Sequence, residues 1–122
     1  MKNVTFTRVD LSNAFFRRGE LDNVSFSMVE FNRTSFRKVD FSTTSFYNSI
    51  FHRAFYTYCD LTNVFYKYCD LSNMGFLSNP TKNMVLDMCG VEGTLFRNMD
   101  IDKLTLVNTD IQKATIKDFQ TE

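Results

Sequence analysis

The chain has 122 residues and a mass of 14.3 kDa, enough for one domain and too little for a second core of ordinary size. With 43% hydrophobic and 23% charged residues it is too apolar for disorder. Its 14 basic and 14 acidic residues cancel, which excludes a uniformly basic nucleic-acid binder and a uniformly acidic mimic and leaves only local patches.

The first thirty residues hold no apolar run of signal-peptide length, and nothing later approaches a membrane span. Three cysteines, an odd number, argue for a reducing compartment rather than a disulfide framework, so a cytoplasmic location is expected. The composition is unusual in one respect: 14 Phe and 5 Tyr stand beside no Trp and a single Pro.

Read in chain order, the segments NAFFR, NVSFS, RTSFR, TTSFY, NVFYK and NMGFL repeat one another. Every fifth position from Phe6 through Phe16, Phe26 and Phe36 to Ile116 holds Phe, Leu, Tyr, Ile or Val in 22 of 23 cases, and Thr81 is the exception. Two residues before each stands a small or slim residue: Val4, Val9, Ala14, Gly19, Val24, Val29 and so on to Cys59, Cys69 and Ala114. The other three columns are mostly polar. A period of five matches neither the 3.6 of a helix nor the alternation of a strand, and points to a solenoid that turns a corner every five residues.

The segments VDLSN (9–13), VDFST (39–43), CDLTN (59–63), CDLSN (69–73) and TDIQK (109–113) resemble the pentapeptide repeat, roughly A-(D/N)-L-x-x, over essentially the whole chain. The resemblance implies an all-β, right-handed quadrilateral β-helix of about six coils, 20 residues each, as one domain spanning 1–122. It also implies that the large residue and the small one two before it point inward. Physical reasoning agrees. Stacked coils pair backbone groups as a sheet does, and large must alternate with small in a narrow square interior. Phe rings about 4.8 Å apart are expected to form a continuous aromatic column on the axis. Residues 75–94, with Gly75, Pro80, Thr81, Gly90 and Gly93, are expected to form an irregular coil, and 117–122, with Phe119, a terminal cap.

No catalytic, cofactor or metal site is expected. His52 stands alone in an outward column without a nucleophile. Cys59, Cys69 and Cys89 occupy the small inward column at spacings that match no zinc motif, and read as space fillers. Cys69 and Cys89 should stack one coil apart, with Cα atoms about 4.8 Å apart and no disulfide, while Cys59 lies on the opposite side.

Function in a solenoid lies on its faces. Arg17, Arg18, Arg37 and Lys38 share one face, with Glu20 and Asp40 around the next corner. They form either corner salt bridges, worth about 0–1 kcal/mol each, or a charged docking edge. Asn23, Thr43, Asn63 and Asn83 form a column in which stacked amides can hydrogen-bond. Tyr47, Phe65, Tyr68, Val85 and Met88 fall in outward columns of a single face and form the candidate protein interface, or else shield the coil edge beneath.

The leading expectation is a non-enzymatic protein–protein interaction scaffold that binds neither membrane nor nucleic acid directly and forms a homodimer through an end of the prism or the aromatic face. The resemblance offers an alternative, a DNA mimic that binds DNA gyrase or topoisomerase IV, both type II topoisomerases, and modulates quinolone sensitivity. Charge weighs against it: duplex DNA carries about one negative charge per 1.7 Å, and the acids here are offset one for one by bases.

Overall fold

The computed structural model describes residues 1–117; the cap expected from Lys117 onward, with Phe119, lies outside the described residues except for Lys117 itself. Twelve three-residue strands follow one another: β1 (Thr5–Thr7), β2 (Phe15–Arg17), β3 (Ser25–Ser27), β4 (Ser35–Arg37), β5 (Ser45–Tyr47), β6 (Phe55–Thr57), β7 (Phe65–Lys67), β8 (Gly75–Leu77), β9 (Val85–Asp87), β10 (Leu95–Arg97), β11 (Thr105–Val107) and β12 (Thr115–Lys117). Each is centred on an inward column residue. They form two six-stranded parallel sheets, ordered β1-β3-β5-β7-β9-β11 and β12-β10-β8-β6-β4-β2. Register is 20 residues throughout, Phe6 opposite Phe26 and Phe16 opposite Phe36. Isolated parallel bridges such as Asp10–Glu30 and Glu20–Asp40 link the remaining sides. The molecule is a β-solenoid of about six coils.

The corners explain the polar columns. Residues at every fifth position from Asn3 adopt left-handed φ, among them Asn13 (66°), Asn23 (55°), Asn63 (63°) and Asn73 (57°). Asn tolerates this region better than other residues with a Cβ, which accounts for its abundance there. Gly93, φ 73°, fills the same role, and a Cβ on it would lie 2.3 Å from Asn73 Oδ1. Two corners of the last coil differ. Ile101–Lys103 and Ile111–Lys113 are 3₁₀ turns in which Asp100 and Asp110 accept from the backbone N–H two residues on.

Inward side chains form the core. Phe31, Phe41, Phe46, Phe51, Tyr56, Tyr66, Phe76 and Phe96 are fully buried. The rings do not make one axial column. They stack separately on each side, Phe26 on Phe46 (5.1 Å) and Phe76 on Phe96 (5.1 Å), and meet edge to face across corners, as Phe46 and Phe51 do at 77°. Adjacent sides of a square are perpendicular, so neighbouring rings take the T-shaped arrangement that their quadrupoles favour.

The small column is more than filler. The hydroxyls of Thr34, Thr94 and Thr109, the three thiols and the Asn79 amide donate to the carbonyl of the inward residue 23 positions earlier. Thr34 Oγ1 donates to Leu11 O (2.9 Å), Cys59 Sγ to Phe36 O (3.4 Å) and Cys69 Sγ to Phe46 O (3.4 Å). Within 75–94, β8 and β9 keep the common register, and the break is local to Asn79 and Pro80. Gly90 N donates to Cys69 O, but Pro80 has no N–H to give Cys59 O. Asn79 ties the two coils through other groups: its Oδ1 accepts from Cys59 N (2.7 Å) and its Nδ2 donates to Tyr56 O (3.1 Å). Thr81, short for its column, is buried near Asn79 and Met84, which are long for theirs.

Candidate protein interface

The outward columns of the sheet that contains β5, β7 and β9 bring the five expected interface residues onto one face. Tyr47 and Phe65, on adjacent strands, meet edge to face with ring centroids 5.8 Å apart. Phe65 pairs in register with Val85. Tyr68 and Met88 follow β7 and β9 at the corner and are 51% and 45% exposed, while Tyr47, Phe65 and Val85 are half-buried. Lys67 covers part of the Tyr68 ring (5.4 Å) and approaches Asp87 at 3.8 Å.

Tyr68 and Met88 take the left-handed φ common to the corners, 56° and 53°, in a column that also holds Arg8, Met28, Asn48 and Asn108. Sequence reasoning missed similar residues on the opposite sheet, Phe15 (62% exposed), Phe55 and Tyr58. Phe55 lies across Gly75, where an added Cβ would come within 2.7 Å of its ring. Sorting both sheets by the 20-residue period would have found them.

The charged edge is placed as columns rather than as pairs. Arg17 lies opposite Arg37, and Glu20 is bridged to Asp40 through the backbone. The corner salt bridges expected between Arg17 or Arg18 and Glu20, and between Arg37 or Lys38 and Asp40, do not form. Among the described residues, ion pairs join Lys2 to Asp22, Lys67 to Asp87 and Lys103 to Asp100. Two of these join residues one coil apart, and the third spans the Ile101–Lys103 corner. Asp40 instead accepts from Ser42 N (2.9 Å) and Ser42 Oγ (2.6 Å), and Arg37 lies over the Tyr58 ring at 5.5 Å. Hydrogen bonds from the Ser12 side chain and backbone hold the Asp10 carboxyl below its ordinary range. In the Asn column, Asn23 Nδ2 donates to Asn3 Oδ1 (2.8 Å) and Asn23 N to Thr43 Oγ1 (3.0 Å), so the ladder forms at its start.

The three cysteines are free and buried. Gly90 N donates to Cys69 O (3.0 Å), which sets Cys89 one coil on from Cys69, and the neighbouring Cys89 together with burial pushes the Cys69 thiol up. His52 Nε2 accepts only from Arg53 Nε, at 3.4 Å. Among the described residues no group of His, Cys, Asp and Glu is arranged to hold a metal ion, and no helix is long and apolar enough to cross a membrane.

The family model described as "Pentapeptide repeats" matches residues 1–37, with 8 copies of the repeat. Comparison with curated proteins finds no match. Among solved structures, the chain is similar to a trypsin-treated variant of QnrB1, a plasmid-mediated fluoroquinolone resistance protein, with a TM-score of 0.72 at 18% identity. A second trypsin-treated QnrB1 variant gives 0.58 at 19%. Each alignment covers 93% of this chain and 56% of the other, so the chain spans little more than half the length of those structures. Rfr23, a pentapeptide repeat protein from the cyanobacterium Cyanothece 51142, aligns over 91% of this chain and 90% of its own with a TM-score of 0.41 at 12% identity. At such identities the QnrB1 likeness bears on fold alone. Residues 1–37 thus carry the pentapeptide repeat, and the 20-residue coil gives the chain the β-solenoid fold of pentapeptide repeat proteins.

Proposed function

We propose that the protein is a non-catalytic scaffold that binds a protein partner through the ridge of Tyr47, Phe65, Tyr68, Val85 and Met88. The observation that carries this reading is the continuous apolar ridge itself, with Tyr47 and Phe65 edge to face and Tyr68 and Met88 large and exposed on successive coils. Aromatic residues and Met are enriched at protein interfaces. Homodimerisation is assigned to the same ridge, because an end-to-end pairing of first coils would oppose the exposed Arg17 and Arg18 of the two copies. Three buried free thiols support the cytoplasmic reading.

The test is capture from host lysate with wild type and with Tyr68→Asp. A discrete partner retained by wild type and lost with Tyr68→Asp is expected, and equal capture by both would remove the ridge from the reading. The QnrB1-like fold keeps the topoisomerase reading as the alternative. Stoichiometric inhibition of gyrase supercoiling that weakens with salt would replace the scaffold reading with it.

A further inference from the structure

A separate feature occupies the opening of the first coil. A cavity of about 460 Å³ lies there, lined almost wholly by apolar groups. It arises from residues smaller than their counterparts one coil on. Leu11 stands over Phe31, Leu21 over Phe41, and Gly19 over Val39. A Cβ built on Gly19 would meet nothing within 4 Å, so the space continues to the backbone.

The rim of this mouth is an unpaired strand edge. In later coils the N–H before each inward ring donates to the coil behind, Ser35 N to Ala14 O and Phe55 N to Thr34 O, both at 3.0 Å. The carbonyl after the ring accepts from that same coil, Arg37 O from Arg18 N and Thr57 O from Lys38 N, both at 3.0 Å. In β2 the corresponding groups are Phe15 N–H and Arg17 C=O. They face the mouth, and β2 pairs only with β4 among the described residues. Such an edge takes a further strand.

Charge selects what that strand carries. Residues 1–20 hold Lys2, Arg8, Arg17 and Arg18 against Asp10 and Glu20. The α-amino group of Met1 and the exposed Arg17 line the mouth against one carboxylate, Glu20, and Arg18 follows Arg17; among the described residues neither arginine is in an ion pair. Two copies meeting mouth to mouth would oppose these cations.

We propose that the first coil binds an extended acidic peptide segment that pairs with the free edge of β2, seats apolar side chains in the mouth and sets carboxylates against Arg17 and Arg18. Side chains of an extended strand alternate between its two faces. The recognised segment therefore alternates acidic with large apolar residues. This site lies apart from the Tyr68 ridge and stands or falls without it.

The probe is a fluorescein-labelled peptide, Glu-Leu-Glu-Phe-Glu-Leu-Glu, titrated by fluorescence anisotropy against the full chain. Saturable binding is expected, weakening as salt rises, with none for the peptide that carries Lys in place of Glu. Gly19→Val fills the mouth in open space and restores the residue type of its column, so the fold is retained, as circular dichroism will show. Gly19→Val and Arg17→Glu should each weaken binding by about tenfold or more, whereas Tyr68→Asp should leave it unchanged. No binding at about 1 mM protein, or binding indifferent to Gly19→Val, overturns the proposal. So does wild-type self-association that Gly19→Val abolishes, which would make the occupant a second copy of the chain.

Discussion

At the scale of single residues, the inward columns carry stability and the corners carry conformational constraint. Phe51 is fully buried, stacked on Phe31 at 4.7 Å and edge-on to Phe46. Phe51→Ala should therefore cost about 3–5 kcal/mol in urea unfolding, as other buried Phe truncations do. Gly93→Ala should also destabilise, by more than about 1 kcal/mol, since the site combines positive φ with a close approach to Asn73. Tyr56 and Tyr66 are buried with hydroxyls that reach no hydrogen-bond partner, and burial pushes both phenols well above their ordinary value of 10.0. The unfolded chain then loses its phenolic protons first as pH rises. The contribution of each tyrosine is thus complete below about pH 10 and declines above it, by roughly 1.4 kcal/mol per pH unit per group. Alkaline unfolding followed by circular dichroism should shift to higher pH in the Tyr56→Phe, Tyr66→Phe double variant. At neutral pH that variant should be as stable as wild type or more so, because an unpartnered buried hydroxyl is removed.

At the scale of the element, each strand is only three residues long and has no stability of its own. It is held by parallel neighbours 20 residues away and by donors from the small column. Asn79 shows how far that column can adapt. Asn79→Ala would leave Cys59 N–H and Tyr56 C=O buried without their side-chain partner, at a cost of about 1–3 kcal/mol in chemical denaturation. Cys59→Ser should be tolerated better than Cys59→Ala, because the hydroxyl can still donate to Phe36 O. A thermal melt of the two variants orders them.

At the scale of the whole molecule, contacts run between successive coils, so stability is a sum of similar coil–coil interfaces. Excision of residues 41–60 removes one full period and leaves every inward column intact. Such a variant should keep the wild-type β circular dichroism with a lower Tm. Excision of residues 41–50 should be far more damaging, because it sets the residues of one sheet against those of the other. Equal melting temperatures for the two deletions would contradict the 20-residue register.

The sequence alone determined the period and the alternation of large and small columns, and its resemblance to the pentapeptide repeat supplied the 20-residue coil, because a five-residue period sets a corner every five residues but not how many corners close a coil. It also picked out Tyr47, Phe65, Tyr68, Val85 and Met88 as a shared face, since columns follow directly from position modulo 20. The tertiary structure decided what depends on distance and direction. Arg17, Arg18, Arg37 and Lys38 did not pair with Glu20 or Asp40, whereas Lys103 reaches Asp100 across a 3₁₀ corner, so pairing follows the local geometry of each corner. Cysteines and Asn79 proved to be donors to carbonyls 23 residues earlier, a separation set by the offset between coils and invisible in the local motif. The mouth of the first coil emerged only once Leu11, Gly19 and Leu21 were seen stacked on larger residues, since a void is a property of layers and not of any one repeat.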